Sequence, residues 1–253
     1  MLSTVVVKKP TNVTLTSGLV TPRAGENQSN DIHRSSLNFE DTALDILTSG
    51  SAADVGIANV WSIGLWFRPE ILTDTQTPFA IRRDADGANA IFFQTRNSNE
   101  FRILTQDSVV VAIKDFRFVA VPSGAIRKWV YWLATWDGTD LIGYRGGAAQ
   151  TPTSTPIDNA GTMTNIDRII KLGGSDATGT FNGKIHQLQI WNSVLGANEV
   201  ASLYNQGMGS TVDSLVNFGD YLSSANLIHW YRLGKIITTL GMGKDFKGTL
   251  DLS

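Results

Sequence analysis

The most constraining feature of the sequence is a two-residue alternation that begins at Trp61 and ends at Pro69. Its odd positions are all large and apolar: Trp61, Ile63, Leu65 and Phe67. Successive side chains of a β-strand point to opposite faces, so this period predicts a half-buried strand. Pro69 cannot donate to a sheet ladder and is expected to end it.

A second segment, Lys128–Trp136, is apolar at both odd and even positions. A strand with two apolar faces is typically central in its sheet and covered on both sides, or it lies in an aromatic groove. Asp137–Asp140 then predicts a tight turn, and Leu141–Arg145 predicts the returning strand. Residues 148–165 are rich in Thr, Pro and Asn and are interpreted as a loop.

Short strands recur along the chain, separated by turn-forming residues, and only one helix is convincing. Further strands are predicted at Phe79–Arg83, Ala90–Thr95, Phe101–Leu104, Ser108–Ile113, Phe116–Val121, Ile166–Leu172, Lys184–Trp191 and 226–233. This pattern predicts an all-β, antiparallel two-sheet jelly-roll sandwich with one short helix near 195–206. Residues 1–36 are interpreted as an extended arm or edge strand, 37–233 as the sandwich, and 234–253 as a Gly-rich C-terminal tail.

Composition excludes several kinds of partner and site. The net charge of −2 provides no basic field for nucleic acid or anionic lipid. The absence of cysteine excludes disulfides and thiolate metal sites. No apolar run reaches the roughly 18 residues of a transmembrane helix. The short run Val5–Val7 is followed by lysines and does not resemble a signal peptide, so none is expected.

Several segments resemble the laminin-G-like jelly rolls of the concanavalin A-like lectin/glucanase superfamily. One is Lys128–Asp137 followed by Gly138, Leu141, Tyr144 and Gly146–Gly147, where Tyr131 and Trp132 replace the usual histidine. Another is Phe181–Asn192 followed by Leu195, Glu199, Val200, Leu203 and Tyr204, which is similar to the family's closing strand and helix. Together they span roughly residues 37–206 and imply a laminin-G-like binding sandwich.

The resemblance also raises the question of catalysis. Glucanases of this superfamily place acidic residues at alternate positions of one strand, and a retaining mechanism needs two carboxylates about 5 Å apart. No such spacing occurs here, and the adjacent Glu40 and Asp41 would face opposite sides of a strand. We therefore expect no enzymatic activity, and a polysaccharide-cleaving enzyme is the least favoured alternative.

A metal site can be considered in one loop. Asp84, Asp86 and Asn89 resemble half of a calcium-binding loop, but Thr95 stands where the closing glutamate is expected. A polar hairpin tip is the favoured interpretation. Calcium at the rim of the sandwich is the one cofactor left open, and no other is predicted.

Three tryptophans are candidates for carbohydrate binding. Trp66, Trp132 and Trp136 are predicted to project from strand faces opposite to part of the core, where exposed rings could stack on sugars. The alternative, that these rings fill the core or lie under long loops, is favoured because most large aromatic side chains do so.

The leading hypothesis is a non-enzymatic structural or surface protein of a virion, such as a decoration or fibre-associated protein. Charged residues make up only 17% of the chain, below the usual quarter, which suits a surface that contacts other protein. Leu227–Gly234 also resembles a tail segment of phage structural proteins. Its partners would be other virion proteins, copies of itself and a host glycan, after synthesis in the host cytoplasm. The alternative is a stand-alone, lectin-like carbohydrate-binding module.

Overall fold

The fold is a sandwich of two antiparallel sheets, as predicted. The computed structural model describes residues 14–15, 36–39, 46–49, 55–72, 74–83, 87–107, 111–120, 126–163, 168–175, 179–205, 212–233 and 245–248. In chain order the strands are β1 (Thr14–Leu15), β2 (Leu37–Phe39), β3 (Leu47–Thr48), β4 (Trp61–Pro69), β5 (Gln76–Arg83), β6 (Ile91–Arg96), β7 (Glu100–Gln106), β8 (Ala112–Val119), β9 (Val130–Trp136), β10 (Leu141–Arg145), β11 (Ala148–Ala149), β12 (Ser154–Asp158), β13 (Arg168–Leu172), β14 (Gly183–Trp191) and β15 (Leu227–Arg232).

The strands form two sheets, which we call sheet A and sheet B. Sheet A has the order β1-β2-β14-β4-β9-β10-β11, with β15 also paired to β14, and sheet B has the order β12-β8-β7-β6-β5-β13-β3. The two strands with the strongest sequence signals, β4 and β9, are neighbours in the middle of sheet A. All seven residues of β9 are buried, so the prediction that both of its faces are covered is confirmed.

The core lies between the inner faces of the two sheets and is rich in aromatic rings. Trp132 of sheet A stacks on Phe101 of sheet B with ring centroids 4.3 Å apart. Phe67 and Phe93 also contact Phe101, at centroid distances of 5.8 and 5.6 Å. All of these side chains are essentially inaccessible to solvent. Each such ring removes roughly 150–250 Å² of surface from water, so this layer is the main source of stability.

The outer face of sheet A is covered by the predicted helix, α1 (Ala197–Tyr204), and by residues 212–226. The Tyr204 ring stacks on Trp66 with a centroid distance of 5.7 Å. A buried hydrogen-bond chain fixes the 212–226 segment: Gln189 donates to Ser214 Oγ, and the Trp191 indole donates to the Tyr221 hydroxyl at 2.9 Å. Burial raises the pKa of Tyr221 to about 12, so this hydroxyl stays protonated.

Parts of the predicted arm and tail lie against sheet A. Thr14–Leu15 pairs with β2 at the edge of the sheet. At the other end of the chain, Asp245 forms a bridge with Tyr231, and the Phe246 amide donates to the Trp230 carbonyl at 2.8 Å. The segment 245–248 therefore adds to the β15 edge, although the sequence suggested only a tail.

The turn at Gly147 gives a first testable prediction. Gly147 has a φ of +80°, and a Cβ at this position would lie 3.0 Å from the Cβ of Tyr204. Because a side chain would be strained by both the backbone and the helix, we expect Gly147→Ala to lower the unfolding free energy by about 1–3 kcal/mol. Urea denaturation measures the change. Gly196→Ala is the control, since its φ is −71° and its Cβ would meet only Glu199 Oε2 at 3.9 Å; an equal loss in both variants would contradict the prediction.

Candidate binding site

The outer face of sheet B carries a row of polar side chains across three neighbouring strands. Gln94 of β6, Arg102 of β7 and Arg117 of β8 stand level in the strand register. Their chain neighbours Phe93, Ile103 and Phe118 belong to the core, so these polar residues point away from it. With Arg96, Glu100 and Asp115 they form a surface that we call the polar strip.

Asp115 is the centre of the polar strip. Arg102 donates to it through Nε at 2.7 Å and through Nη2 at 2.9 Å. Arg117 donates to the same carboxylate through Nε at 3.4 Å and Nη2 at 3.2 Å. Only 3% of the Asp115 side chain is exposed, against 21% for Arg102 and 27% for Arg117. The carboxylate is therefore hidden beneath two guanidinium groups, whose outer edges face solvent.

The electrostatics of the strip follow from this geometry. Burial alone would raise the pKa of Asp115, but the hydrogen bonds and charges of Arg102 and Arg117 outweigh it and hold that pKa below its ordinary value. Glu100 Oε1 accepts a hydrogen bond from Arg96 Nη1 at 3.1 Å and lies 3.9 Å from Arg117 Nε. Three arginines against two carboxylates leave the strip with one net positive charge.

Several hydrogen-bonding groups of the strip are oriented in advance. Arg102 Nη1 donates to Gln94 Oε1 at 3.1 Å, and Gln94 Nε2 donates to Thr77 Oγ1 at 3.3 Å. Arg117 Nη1, by contrast, makes no hydrogen bond to any residue in the described part of the chain. A ligand oxygen could accept from this nitrogen without displacing a protein partner.

An apolar row lies directly beside the polar one. Phe92 of β6 and Leu104 of β7 are paired in the register, and Leu104 is paired in turn with Asp115. The Phe92 ring is half-buried, whereas Leu104 is 7% exposed. Guanidinium donors next to a partly exposed ring suit a ligand with an apolar face and a polar edge.

The three tryptophans considered for sugar stacking lie elsewhere, in the interior positions that the favoured alternative described. Trp132 and Trp136 are 0% exposed and belong to the core between the sheets, because their side of β9 faces sheet B. Trp66 is on the opposite face but is only 3% exposed, since it stacks with Tyr131 and Tyr204. None of the three has a ring face open to a sugar.

The calcium prediction concerns the loop between β5 and β6. Asp84 and Asp86 lie outside the described residues. Asn89 is buried with a φ of +50°, and its backbone N–H donates to the backbone carbonyl of Asp107 at 2.7 Å. Within the described ranges no three His, Asp or Glu side chains converge as a metal site would require. Calcium binding by this loop stays a prediction.

The polar strip was missed at the sequence level, although a signal for it existed. In β6 and β7 the core residues Phe93, Phe101 and Ile103 alternate with Gln94, Arg96, Glu100 and Arg102. This alternation marks one polar face on each strand. Only the pairing of the strands shows that these faces meet and that Asp115 lies between two arginines.

Comparison with models of known protein families gives a match. A family model described as the concanavalin A-like lectin/glucanases superfamily matches residues 43–201, which is more than half of the 253 residues. The chain belongs to this superfamily. The matched region of this concanavalin A-like protein includes β4 to β10 and the whole polar strip. The resemblance inferred from Lys128–Gly147 and Phe181–Tyr204 is therefore confirmed.

Solved structures agree with this fold. The heptameric SAP-like pentraxin of Limulus polyphemus matches with a TM-score of 0.51 and 14% identity, covering 69% of this chain and 83% of the pentraxin. The binding domain of botulinum neurotoxin serotype G matches with a TM-score of 0.51 and 18% identity, covering 78% of this chain and 46% of that domain. At these identities the matches show the concanavalin A-like fold alone.

Two other comparisons complete the description. No curated protein matched this concanavalin A-like chain. A search of the described residues for a helix with the length and apolarity needed to cross a membrane found none.

Proposed function

We propose that this protein is a non-catalytic, saccharide-binding module that acts on the surface of a virion. The observation that carries the binding proposal is the polar strip, in which the buried Asp115 holds Arg102 and Arg117, with Phe92 in the neighbouring row on the same face of sheet B. Sugars present both hydroxyl groups and an apolar ring face. The strip offers a matching combination of donors and aromatic surface.

Preorganisation is the physical reason for choosing this face. A free arginine loses rotamer freedom when it binds a ligand, at a cost of roughly 0.5–1.5 kcal/mol for a mobile side chain. Arg102 and Arg117 already have fixed orientations, because each makes two hydrogen bonds to Asp115. Their remaining N–H groups can therefore bind ligand oxygens at a smaller entropic cost.

The same geometry argues against glycosidase chemistry by Asp115. A glycosidase needs one protonated carboxyl group as general acid and a second carboxylate as nucleophile or base. Asp115 is stabilised as an ion and both of its oxygens are already engaged by guanidinium groups, so it is unsuited to either role. Release of reducing sugar from polysaccharide by the purified protein would contradict this part of the proposal.

A binding experiment tests the role of the strip. Glycan-array screening of the purified protein identifies a saccharide, and calorimetry then compares Arg117→Ala with the wild type. We expect the affinity to fall by about 10- to 100-fold, because hydrogen bonds from a charged donor are worth about 1.5–3 kcal/mol. Arg232→Ala on sheet A is the matched control and should bind normally. Equal binding by Arg117→Ala and the wild type would place the saccharide elsewhere.

The virion role is proposed on different grounds. The low fraction of charged residues suits a surface that packs against other protein, and Leu227–Gly234 resembles a segment of phage structural proteins. Saccharide binding is compatible with this location, since a surface protein of a particle can attach to a host glycan. Immunogold electron microscopy of native particles tests the proposal. We expect label on the particle surface, and unlabelled particles from cells that produce the protein would contradict it.

A further inference from the structure

One end of sheet A, where β4 begins and β14 ends, combines exposed apolar side chains with carboxylates. Leu222 is 69% exposed, the highest value among the large hydrophobic residues that the structure describes, and Val194 is 41% exposed. Two backbone amides bind side chains of helix α1. The Leu222 amide donates to Glu199 Oε1 at 3.1 Å, and the Asp220 amide donates to Ser202 Oγ. We call Val194, Glu199, Asp220 and Leu222 the acidic patch.

The acidic patch is rigidly supported. Ser62 at the start of β4 donates to the Ser193 carbonyl at 2.7 Å and accepts from the Leu195 amide at 2.9 Å, which fixes the backbone around Val194. Tyr221, next to Leu222, is fully buried and bonded to Trp191. An exposed side chain as large as Leu222 on such a fixed backbone can enter a partner's surface with little loss of backbone entropy.

The other end of sheet A has the opposite character. Ile126 is 47% exposed and is followed by the exposed residues Arg127 and Lys128. The Arg127 amide donates to the Pro69 carbonyl at 2.8 Å, which places this turn beside the last residue of β4. We call Ile126, Arg127 and Lys128 the basic patch. Arg127 Nε pairs with Glu70 Oε2 at 3.1 Å, while Lys128 forms no ion pair with a described residue.

The two patches cannot meet within one molecule. The nine residues of β4 separate them, and a strand rises about 3.3 Å per residue, so they are roughly 27 Å apart. Each combines an exposed apolar residue with charge: two carboxylates in the acidic patch, and in the basic patch Lys128 together with Arg127, whose charge is partly offset by Glu70. The net charge of the chain is only −2, so long-range repulsion between copies is weak.

We propose that copies of this protein associate head to tail, with the acidic patch of one molecule on the basic patch of the next. This inference specifies the assembly part of the function proposed above. The contact joins two different surfaces, so it is heterologous, and repetition generates a closed ring or a filament. Leu222 would contact the region of Ile126, and Lys128 would lie opposite Asp220 or Glu199.

Sedimentation velocity of the full chain tests the association and its charge dependence. We expect the mass to rise with protein concentration at about 0.05 M salt and to return towards the monomer near 1 M salt, where the Debye length falls to about 3 Å. Two variants should each weaken association by at least about tenfold: Leu222→Lys, which removes the apolar contact and opposes the local charge, and Ile126→Asp combined with Lys128→Glu. Val111→Asp, at a residue 54% exposed and outside both patches, is the matched control and should associate like the wild type.

Mixing the two variants distinguishes a head-to-tail contact from any other. The Leu222→Lys variant keeps an intact basic patch, and the Ile126→Asp, Lys128→Glu variant keeps an intact acidic patch. The mixture should therefore form 1:1 dimers and nothing larger, while each variant alone stays monomeric. All substituted residues are exposed, and unchanged thermal melting confirms that the variants fold.

Other outcomes overturn the proposal in distinct ways. A wild type that stays monomeric at every concentration and salt excludes the contact, while particle labelling would still decide the virion role. Association of the wild type without dimers in the mixture indicates a symmetric interface or another surface. Loss of association in Val111→Asp would show that general acidity rather than the patches controls it.

Discussion

Replacing Trp132 by alanine lowers the free energy of unfolding by about 3–5 kcal/mol, as expected for deletion of a fully buried aromatic side chain. The Trp132 ring is 0% exposed and stacks on Phe101 at 4.3 Å. Its indole nitrogen donates to the Ala120 carbonyl at 2.9 Å. The substitution leaves a cavity between the sheets and removes the donor to the Ala120 carbonyl. Closing the cavity would require the Phe101 ring and the rings packed on it to move.

A denaturant titration monitored by far-UV circular dichroism, rather than by tryptophan fluorescence, measures this loss of unfolding free energy. Ile142→Ala is the control, because Ile142 lies in the neighbouring strand β10 but is 41% exposed. We expect the control to change stability by less than about 1 kcal/mol. A Trp132→Ala protein that is as stable as the wild type but unable to bind saccharide would contradict the burial of the Trp132 ring in the core.

The case of Trp132 shows how far sequence periodicity reaches. Alternation located β4. Apolar residues on both faces located β9 and predicted that both of its faces are covered. This apolar pattern could not say which face of β9 meets sheet B and which meets α1. Trp132 and Trp136 face the core, while Tyr131 and Leu133 lie under the helix, and that choice is made by the packing of whole layers.

Edge strands were harder to predict for a related reason. The predicted loop 148–165 contains β11 and β12, and all residues of Ser154–Asp158 except Ile157 are exposed. Pro156 and the absence of an apolar face hide the strand in the sequence. The pairing with β8 forms because the sheet edge offers backbone groups, which depend little on side-chain identity.

The predicted break between Ser108–Ile113 and Phe116–Val121 has an informative cause. In the sequence, Lys114 and Asp115 fall between two predicted strands, yet both residues lie within the continuous strand β8. Residues 108–110 and 121 of the two predicted strands lie outside the described residues. Lys114 points inward, pairs with Asp158 and lies over the Trp136 ring at 5.4 Å, whereas Asp115 points outward to Arg102 and Arg117. Charged residues can occupy a strand interior when partners from other strands satisfy them, and no local pattern shows those partners.

A buried carboxylate also holds the C-terminal segment, and removing it gives the second large effect. The Asp245 side chain is fully inaccessible and accepts from His229 Nδ1 at 2.6 Å and from the Trp230 amide at 3.0 Å. The amides of Lys247 and Gly248 donate to the same carboxylate at 3.1 and 2.9 Å. His229 Nε2 donates to the Val55 carbonyl at 3.0 Å, so the imidazole links three chain segments.

Asp245→Ala should lower the unfolding free energy by about 3–5 kcal/mol, because it leaves the buried His229 and several amides without their acceptor. Thermal or urea denaturation measures the loss. Asp74→Ala, at an exposed position, is the matched control and should stay within about 0.5 kcal/mol of the wild type. A loss confined to the 245–248 segment would appear as an early, partial transition and would show that the segment unfolds independently of the sandwich.

The same carboxylate makes stability depend on pH in a defined direction. Burial would raise the pKa of Asp245, but hydrogen bonds from His229, Gly248 and Trp230 outweigh it, so the folded-state pKa lies below the ordinary value near 3.8. The contribution of Asp245 to the free energy of unfolding is therefore complete above about pH 4. It is lost as the pH falls through the lower pKa of the folded state. Between about pH 5 and pH 2 we expect Asp245→Asn to lose less stability than the wild type, as measured by urea denaturation at each pH. Parallel curves for the two proteins would mean that other carboxylates, such as Asp115 between its two arginines, account for the acid sensitivity.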